Sequence, residues 1–197
     1  EQSGFINEIG FETYHKILNE AVNELKETEF KSLYKNDELS TKFIDVQIDT
    51  DLEILFPDSY INIISERLSL YNELSKIKNS EKLFELKKKI IDRFGPLPEE
   101  AEELLKSVEI KRIGGLIGIE RFIIKKGKCI GYFIEDEEND IFKSSTFINF
   151  LNNIQNDFSN ATISKKKTKK GLKLTLTIEN IKKVNTLLII LKNLIKG

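Results

Sequence analysis

The chain has one cysteine, Cys129, and one histidine, His15, among its 197 residues. A single cysteine cannot close an internal disulfide, and the two residues cannot supply a zinc site of the usual Cys/His kind. A reducing, cytoplasmic setting is the expectation. Proline is scarce as well, at 3 residues, and no run approaches the roughly 18 apolar residues of a membrane span. The opening Glu1-Gln2-Ser3-Gly4 has no basic region followed by an apolar one. A start without methionine suggests a piece of a longer protein, or a processed one. Charge of one sign is also missing: 31 Lys and Arg face 32 Asp and Glu, leaving no global field that would draw the chain to nucleic acid or an anionic membrane. Apolar material is plentiful, at 40% beside 32% charged residues, which excludes disorder throughout and suits one or two globular domains.

Periodicity organises this material. Phe11, Tyr14, Ile17, Leu18, Ala21, Val22 and Leu25 recur at helical steps and predict an amphipathic helix to about Lys26. The polar stretch from Glu27 to Thr41 reads as a linker, with a boundary near Leu39 that separates segment 1–38 from a domain at 39–197. Ile44, Val46 and Ile48 alternate with polar residues as in a half-buried strand. Three helices follow. The first carries the stripe Ile64, Leu68, Tyr71 and Leu74, and the second carries Leu83, Leu86, Ile90 and Phe94 after a cap at Ser80. The third opens at Pro98, is acidic in its first turns (Glu99, Glu100, Glu102, Glu103), turns Ala101, Leu104, Leu105 and Val108 inward, and ends at Gly114-Gly115. Two hairpins, each followed by a helix, complete the chain. The first folds at Lys126-Gly127-Lys128, and the second joins a strand from Ala161 to one holding Leu172, Leu174, Leu176 and Ile178. The fold class expected is α+β: a helical segment, then an antiparallel sheet of two hairpins covered by helices.

Catalytic constellations are hard to find. Gly114-Gly115-Leu116-Ile117-Gly118 follows a helix and leads into a strand, the reverse of a dinucleotide-binding turn, so helix termination is the simpler reading. His15 lies beside Tyr14 on a helix with no nucleophile in view, and Cys129 reads as a small buried strand residue. Glu135, Asp136, Glu137, Glu138 and Asp140 lack the spacing and interior glycine of a calcium loop and read as an exposed acidic turn. Lys165, Lys166, Lys167, Lys169 and Lys170 are expected at the tip of the second hairpin, where they either approach nucleic-acid phosphates or solvate the turn. No catalytic residue, metal site or cofactor is expected within this chain.

A family resemblance adds what the residues alone do not. Glu1-Gln2-Ser3-Gly4, Ile9-Gly10-Phe11 with Tyr14, Arg67-Leu68 with Tyr71, and Ile91-Asp92-Arg93-Phe94-Gly95-Pro96-Leu97-Pro98 together resemble the C-terminal part of bacterial transcription-repair coupling factor. The resemblance implies a parent that is an ATP-driven double-stranded DNA translocase, which displaces stalled RNA polymerase and recruits the excision-repair recognition protein. ATP and magnesium would belong to motor domains outside this chain. Gln2 matches the loop glutamine of the translocation motif, and the segment from about Leu39 matches a regulatory domain that folds back on the upstream repair-recruiting module. Asp92 matches an acidic position that pairs with basic residues of that module. The companion acidic position, one turn earlier, is Lys89 here, and Glu85 is the acid available a further turn back. For Asp92 the local alternative is an exposed helix pair with Lys88 or Lys89.

Overall fold

The computed structural model describes residues 44–136, 139–157, 160–168 and 171–196. Gln2, the Phe11–Lys26 helix with His15, the linker and the boundary near Leu39 lie outside these residues, as do Glu137, Glu138, Lys169 and Lys170.

The element order is β1 (Gln47–Thr50), α1 (Ile64–Ser75), α2 (Ser80–Phe94), α3 (Glu99–Leu116), β2 (Ile119–Lys125), β3 (Lys128–Phe133), a short 3-10 turn (Asp140–Lys143), α4 (Ser145–Asp157), β4 (Ala161–Thr168), β5 (Gly171–Glu179) and α5 (Val184–Leu194). The five strands form one sheet in the order β1-β2-β3-β5-β4. Both expected hairpins are present and antiparallel, and β3 pairs with β5 to join them. The strand expected around Ile44–Ile48 adds a parallel edge, with Ile48 opposite Phe122. The three-helix segment is thus the crossover between two adjacent parallel strands, and the α+β sheet is mixed though mostly antiparallel.

Two apolar clusters hold the chain together. One face of the sheet contributes Val46, Ile48, Phe122, Ile124, Cys129, Phe133, Leu176 and Ile178, and these are buried against Ile110, Ile113 and Ile117 of α3, Phe147 and Phe150 of α4, and the apolar side of α5. A register shift between Ile119 and Arg121 brings Ile119 onto the same face as Phe122, which strict alternation would forbid. The second cluster lies among α1, α2 and the first half of α3, with Leu70, Leu74, Leu83, Leu86, Ile90, Ala101, Leu104 and Leu105. Helix α3 therefore serves both clusters, its first half facing the helices and its second half the sheet.

Several local expectations are revised by this packing. Gly114 and Gly115 lie inside α3 and do not end it. A Cβ on Gly114 would stand 2.7 Å from Phe122 Cε2 and 3.1 Å from Val46 Cγ1, so its value is close approach of helix to sheet. The reversal falls to Gly118, at φ 78°. The cap of α2 is Asn79, whose side chain accepts from the Lys82 amide, and Ser80 is the first helical residue. In α1 the buried positions are Leu70 and Leu74, whereas Ile64 is 49% exposed. Helix α5 starts at Val184, after Asn180 takes a positive φ of 61°.

Glu103, one of the first-turn acids expected to favour the α3 dipole, is buried. Its carboxylate accepts from the Asn185 amide at 3.1 Å and so caps α5, whose own N-cap residue, Lys183, makes no capping bond. At the other end of α5, Asn153 Nδ2 of α4 donates to the carbonyls of Leu194 (3.0 Å) and Lys196 (2.8 Å). This apolar helix, poor in groups of its own for the task, has both termini satisfied by its neighbours.

Candidate docking surface

The most recognisable residues of the sequence build a corner. Arg67 Nη1 donates to the Ile61 carbonyl at 2.5 Å and pairs with Asp58 at 2.8 Å. The Tyr71 hydroxyl accepts from the Phe56 amide at 2.8 Å, and burial pushes its pKa above the usual tyrosine value. Tyr60 donates to the Gly95 carbonyl at 2.7 Å, and Gly95 closes α2 at φ 87°, the left-handed region a side chain would resist. Arg93 pairs with Glu66 of α1. Arg67 and Tyr71 thus tie α1 to the loop before it, while Arg93 and Gly95 tie α2 to α1 and to that loop.

The outward side of α2 is then unusually clear in its charges. Lys87 is drawn to Glu102 of α3 at 3.6 Å and Lys89 to Glu73 of α1 at 3.1 Å, while Lys88 lies 4.5 Å above the Phe84 ring. Glu81, Glu85 and Asp92 are exposed, and no ion pair among the described residues engages them. The local pairing of Asp92 with Lys88 or Lys89 is thus not found, since both lysines are occupied elsewhere. At about 100° per residue, Phe84, Lys88 and Ile91 share one narrow arc, and Glu81, Asp92 and Glu85 follow along one side of it. Phe84 is 58% exposed and Ile91 39%. Lys82 shares the Lys89 side of the helix.

Helix α2 therefore presents Phe84 and Ile91, with Lys88 laid over the Phe84 ring, beside an acidic flank, a pattern suited to a basic, partly apolar protein surface. The family resemblance points to Asp92, Glu85 and Lys89; all three lie on this helix, and Lys89 is tied back to α1. The resemblance misses Phe84. The available signal was that Phe84 falls off the Leu83-Leu86-Ile90 stripe.

Other candidates are dispersed or closed. Lys165, Lys166 and Lys167 lie within β4, an edge strand, in register with Leu174, Lys173 and Leu172, and not at the hairpin tip. Lysines on an edge strand discourage pairing with other chains. Cys129 is fully buried and burial raises its thiol pKa to about 12, which makes it inert. A recess of about 10 Å³ beside Asn79, Ser80, Leu83, Val108 and Arg112 has room for one water. Among the described residues no group of three or more His, Cys, Asp or Glu is placed to hold a metal, and no helix is long and apolar enough to cross a membrane.

Comparison with known proteins agrees with this architecture. Residues 50–144, which contain the whole helical lobe and the first hairpin, match the TRCF domain family model. The chain is 31% identical over 175 residues to the transcription-repair-coupling factor of Staphylococcus epidermidis strain RP62A, covering 85% of this chain and 14% of that protein. It is 32% identical over 151 residues to the same factor of Escherichia coli strain K12, covering 77% of this chain and 12% of that protein. The chain thus spans about one seventh or less of the length of these relatives. The crystal structure of a C-terminal domain of transcription-repair coupling factor superposes with a TM-score of 0.58 at 20% identity, over 76% of this chain and 91% of that one. Shared sequence places the chain in the transcription-repair coupling factor family, with the fold of that C-terminal domain structure.

Proposed function

We propose that this chain is the non-catalytic lid of a longer protein, a domain that folds back on an upstream repair-recruiting module and masks it. In this reading the parent is an ATP-driven double-stranded DNA translocase of the cytoplasm that displaces stalled RNA polymerase and recruits the excision-repair recognition protein. ATP and magnesium act in its motor domains, outside this chain, and Gln2 belongs to the motif that couples hydrolysis to movement. The observation that carries the proposal is the flank of α2, where Glu81, Glu85 and Asp92 stay exposed while Lys87, Lys89 and Arg93 are drawn into neighbouring helices.

Masking is a competition between an intramolecular contact and an external partner for one surface, and its strength is a coupling free energy. A lid that must open needs an interface that is modest and partly polar. The acidic flank supplies the polar part. Lys89, which replaces an acid of the family pattern, is neutralised by Glu73, so it adds little repulsion towards a basic partner. Glu85 lies on the same flank as Asp92 and takes over the vacant role.

Titration calorimetry between this 197-residue chain and the upstream repair-recruiting module tests the proposal. Binding that weakens with salt and falls in Asp92→Arg is the expected result. Equal affinity for both chains at low and high salt would remove Asp92 from the interface, and absence of binding would remove the lid.

A further inference from the structure

We infer that Phe84 and Ile91 of α2 are the apolar anchors of this contact and seat in a basic-rimmed hydrophobic groove of an upstream segment of the same polypeptide. The inference rests on the lid reading and specifies what grips. Its starting point is that 58% of Phe84 and 39% of Ile91 remain exposed on a helix whose core positions, Leu83, Leu86 and Ile90, are all buried. The two residues are seven apart, two helical turns, and present one face.

That face is already ordered. Lys88 lies 4.5 Å above the Phe84 ring and limits its freedom, while Arg93 and Lys89 pin the same helix to α1 through Glu66 and Glu73. A preorganised aromatic side chain loses little entropy when it docks, which is why such residues dominate binding energy in interfaces. The flank decides the partner's charge. Glu81, Glu85 and Asp92 run beside the apolar strip with no cationic partner among the described residues, so a groove rimmed by Lys or Arg is complementary and an acidic one is repelled.

The family relatives extend far beyond this domain, which accounts for only 14% of the staphylococcal protein, so ample chain is available to carry such a groove. An intramolecular occupant also suits the size of the strip. Two side chains alone make a weak contact between separate molecules, yet tethering raises the effective concentration towards millimolar and makes such a contact persistent. A second copy of the chain would bring acidic flank against acidic flank.

The test is photo-crosslinking in the full-length parent, with a benzophenone amino acid at position 84 and, separately, at position 92. The expected result is an intramolecular cross-link from both positions to an upstream segment, located by peptide mapping. A cross-link from 92 and none from 84 would overturn the anchor assignment and leave the lid intact. No upstream cross-link from either position would end both, and a product of doubled mass from 84 would assign the strip to self-association. Affinity gives an independent readout in the full chain. The double variant Phe84→Ala, Ile91→Ala should weaken binding to the upstream module about tenfold or more, at 0.1 M and at 0.5 M salt alike, whereas the loss in Asp92→Arg should shrink as salt rises. An unchanged affinity in the double variant would refute the anchors.

Discussion

Four phenylalanines separate the two halves of this molecule. Around the sheet, Phe122, Phe133 and Phe150 are exposed by no more than 1%, while in the helical half Phe84 stands 58% open on α2. In the sheet half three helices cover one face, Glu103 and Asn153 cap the termini of α5 from outside, and Phe133 meets Phe142, Phe147 and Phe150 at centroid distances of 6.2–6.4 Å, although Ile148 and Ile189 of the covering helices stay 48% and 52% exposed. The helical half is held as much by polar contacts as by its core, through Arg67, Tyr60, Tyr71 and Arg93, and keeps an apolar strip outside. Helix α3, buried in both, makes them one rigid support.

The largest effect expected from this contrast comes from truncating one phenylalanine in each half. Phe150→Ala leaves a cavity beside two aromatic neighbours, Phe133 and Phe147, and should cost about 3–5 kcal/mol, measured by urea unfolding. Phe84→Ala should stay within about 0.5 kcal/mol, as surface changes do. A comparable loss in both would mean that Phe84 belongs to the core and would weaken its assignment to docking.

Adjacent glycines sharpen the same boundary. In Gly114→Ala the new methyl group meets the buried Phe122 ring at 2.7 Å, and the overpacking should cost about 1–3 kcal/mol despite the better helix propensity of alanine. Gly115→Ala meets nothing nearer than the Ile44 carbonyl at 3.7 Å and should be neutral or stabilising by up to about 1 kcal/mol. Midpoints of thermal unfolding would rank the two. If both variants gain stability, α3 does not press on the sheet as described.

The same contrast explains what could be read from the sequence. Alternation around Leu174, Leu176 and Ile178, and the Lys126-Gly127 turn with both residues at positive φ, are local signals and gave both hairpins. The stripe Leu83-Leu86-Ile90 likewise fixed the inner face of α2. What failed depended on partners distant in sequence. Gly114 looked like a helix stop because its reason for lacking a side chain is Phe122, on the next strand. Glu103 looked like a dipole acid because the amide it caps is 82 residues away. The bulge that turns Ile119 inward, and the parallel pairing of β1, have no local mark in the sequence. Of the docking surface, Asp92 was visible through family resemblance, and the fate of the neighbouring lysines was not. Their partners, Glu73 and Glu102, are set by how α1 and α3 pack.

Alkali offers the gentlest probe of the sheet half. Cys129 ionises near 9.0 when free and at about 12 in the folded protein, because burial penalises the thiolate. The folded state therefore keeps a proton that the unfolded chain gives up. This contribution to stability is fully present below pH 9, declines as pH rises, and is exhausted near pH 12. By pH 10 stability should have fallen by about 1 kcal/mol relative to pH 8, read from urea midpoints. Tyr60 and Tyr71 of the helical half are also raised by burial and add to the decline, so the decisive comparison is with Cys129→Ala, which removes the thiol titration and leaves theirs. A shallower alkaline slope in that variant would assign the difference to the sheet core. Identical slopes would mean that Cys129 reaches water in the native state and that the sheet half is less closed than its packing indicates.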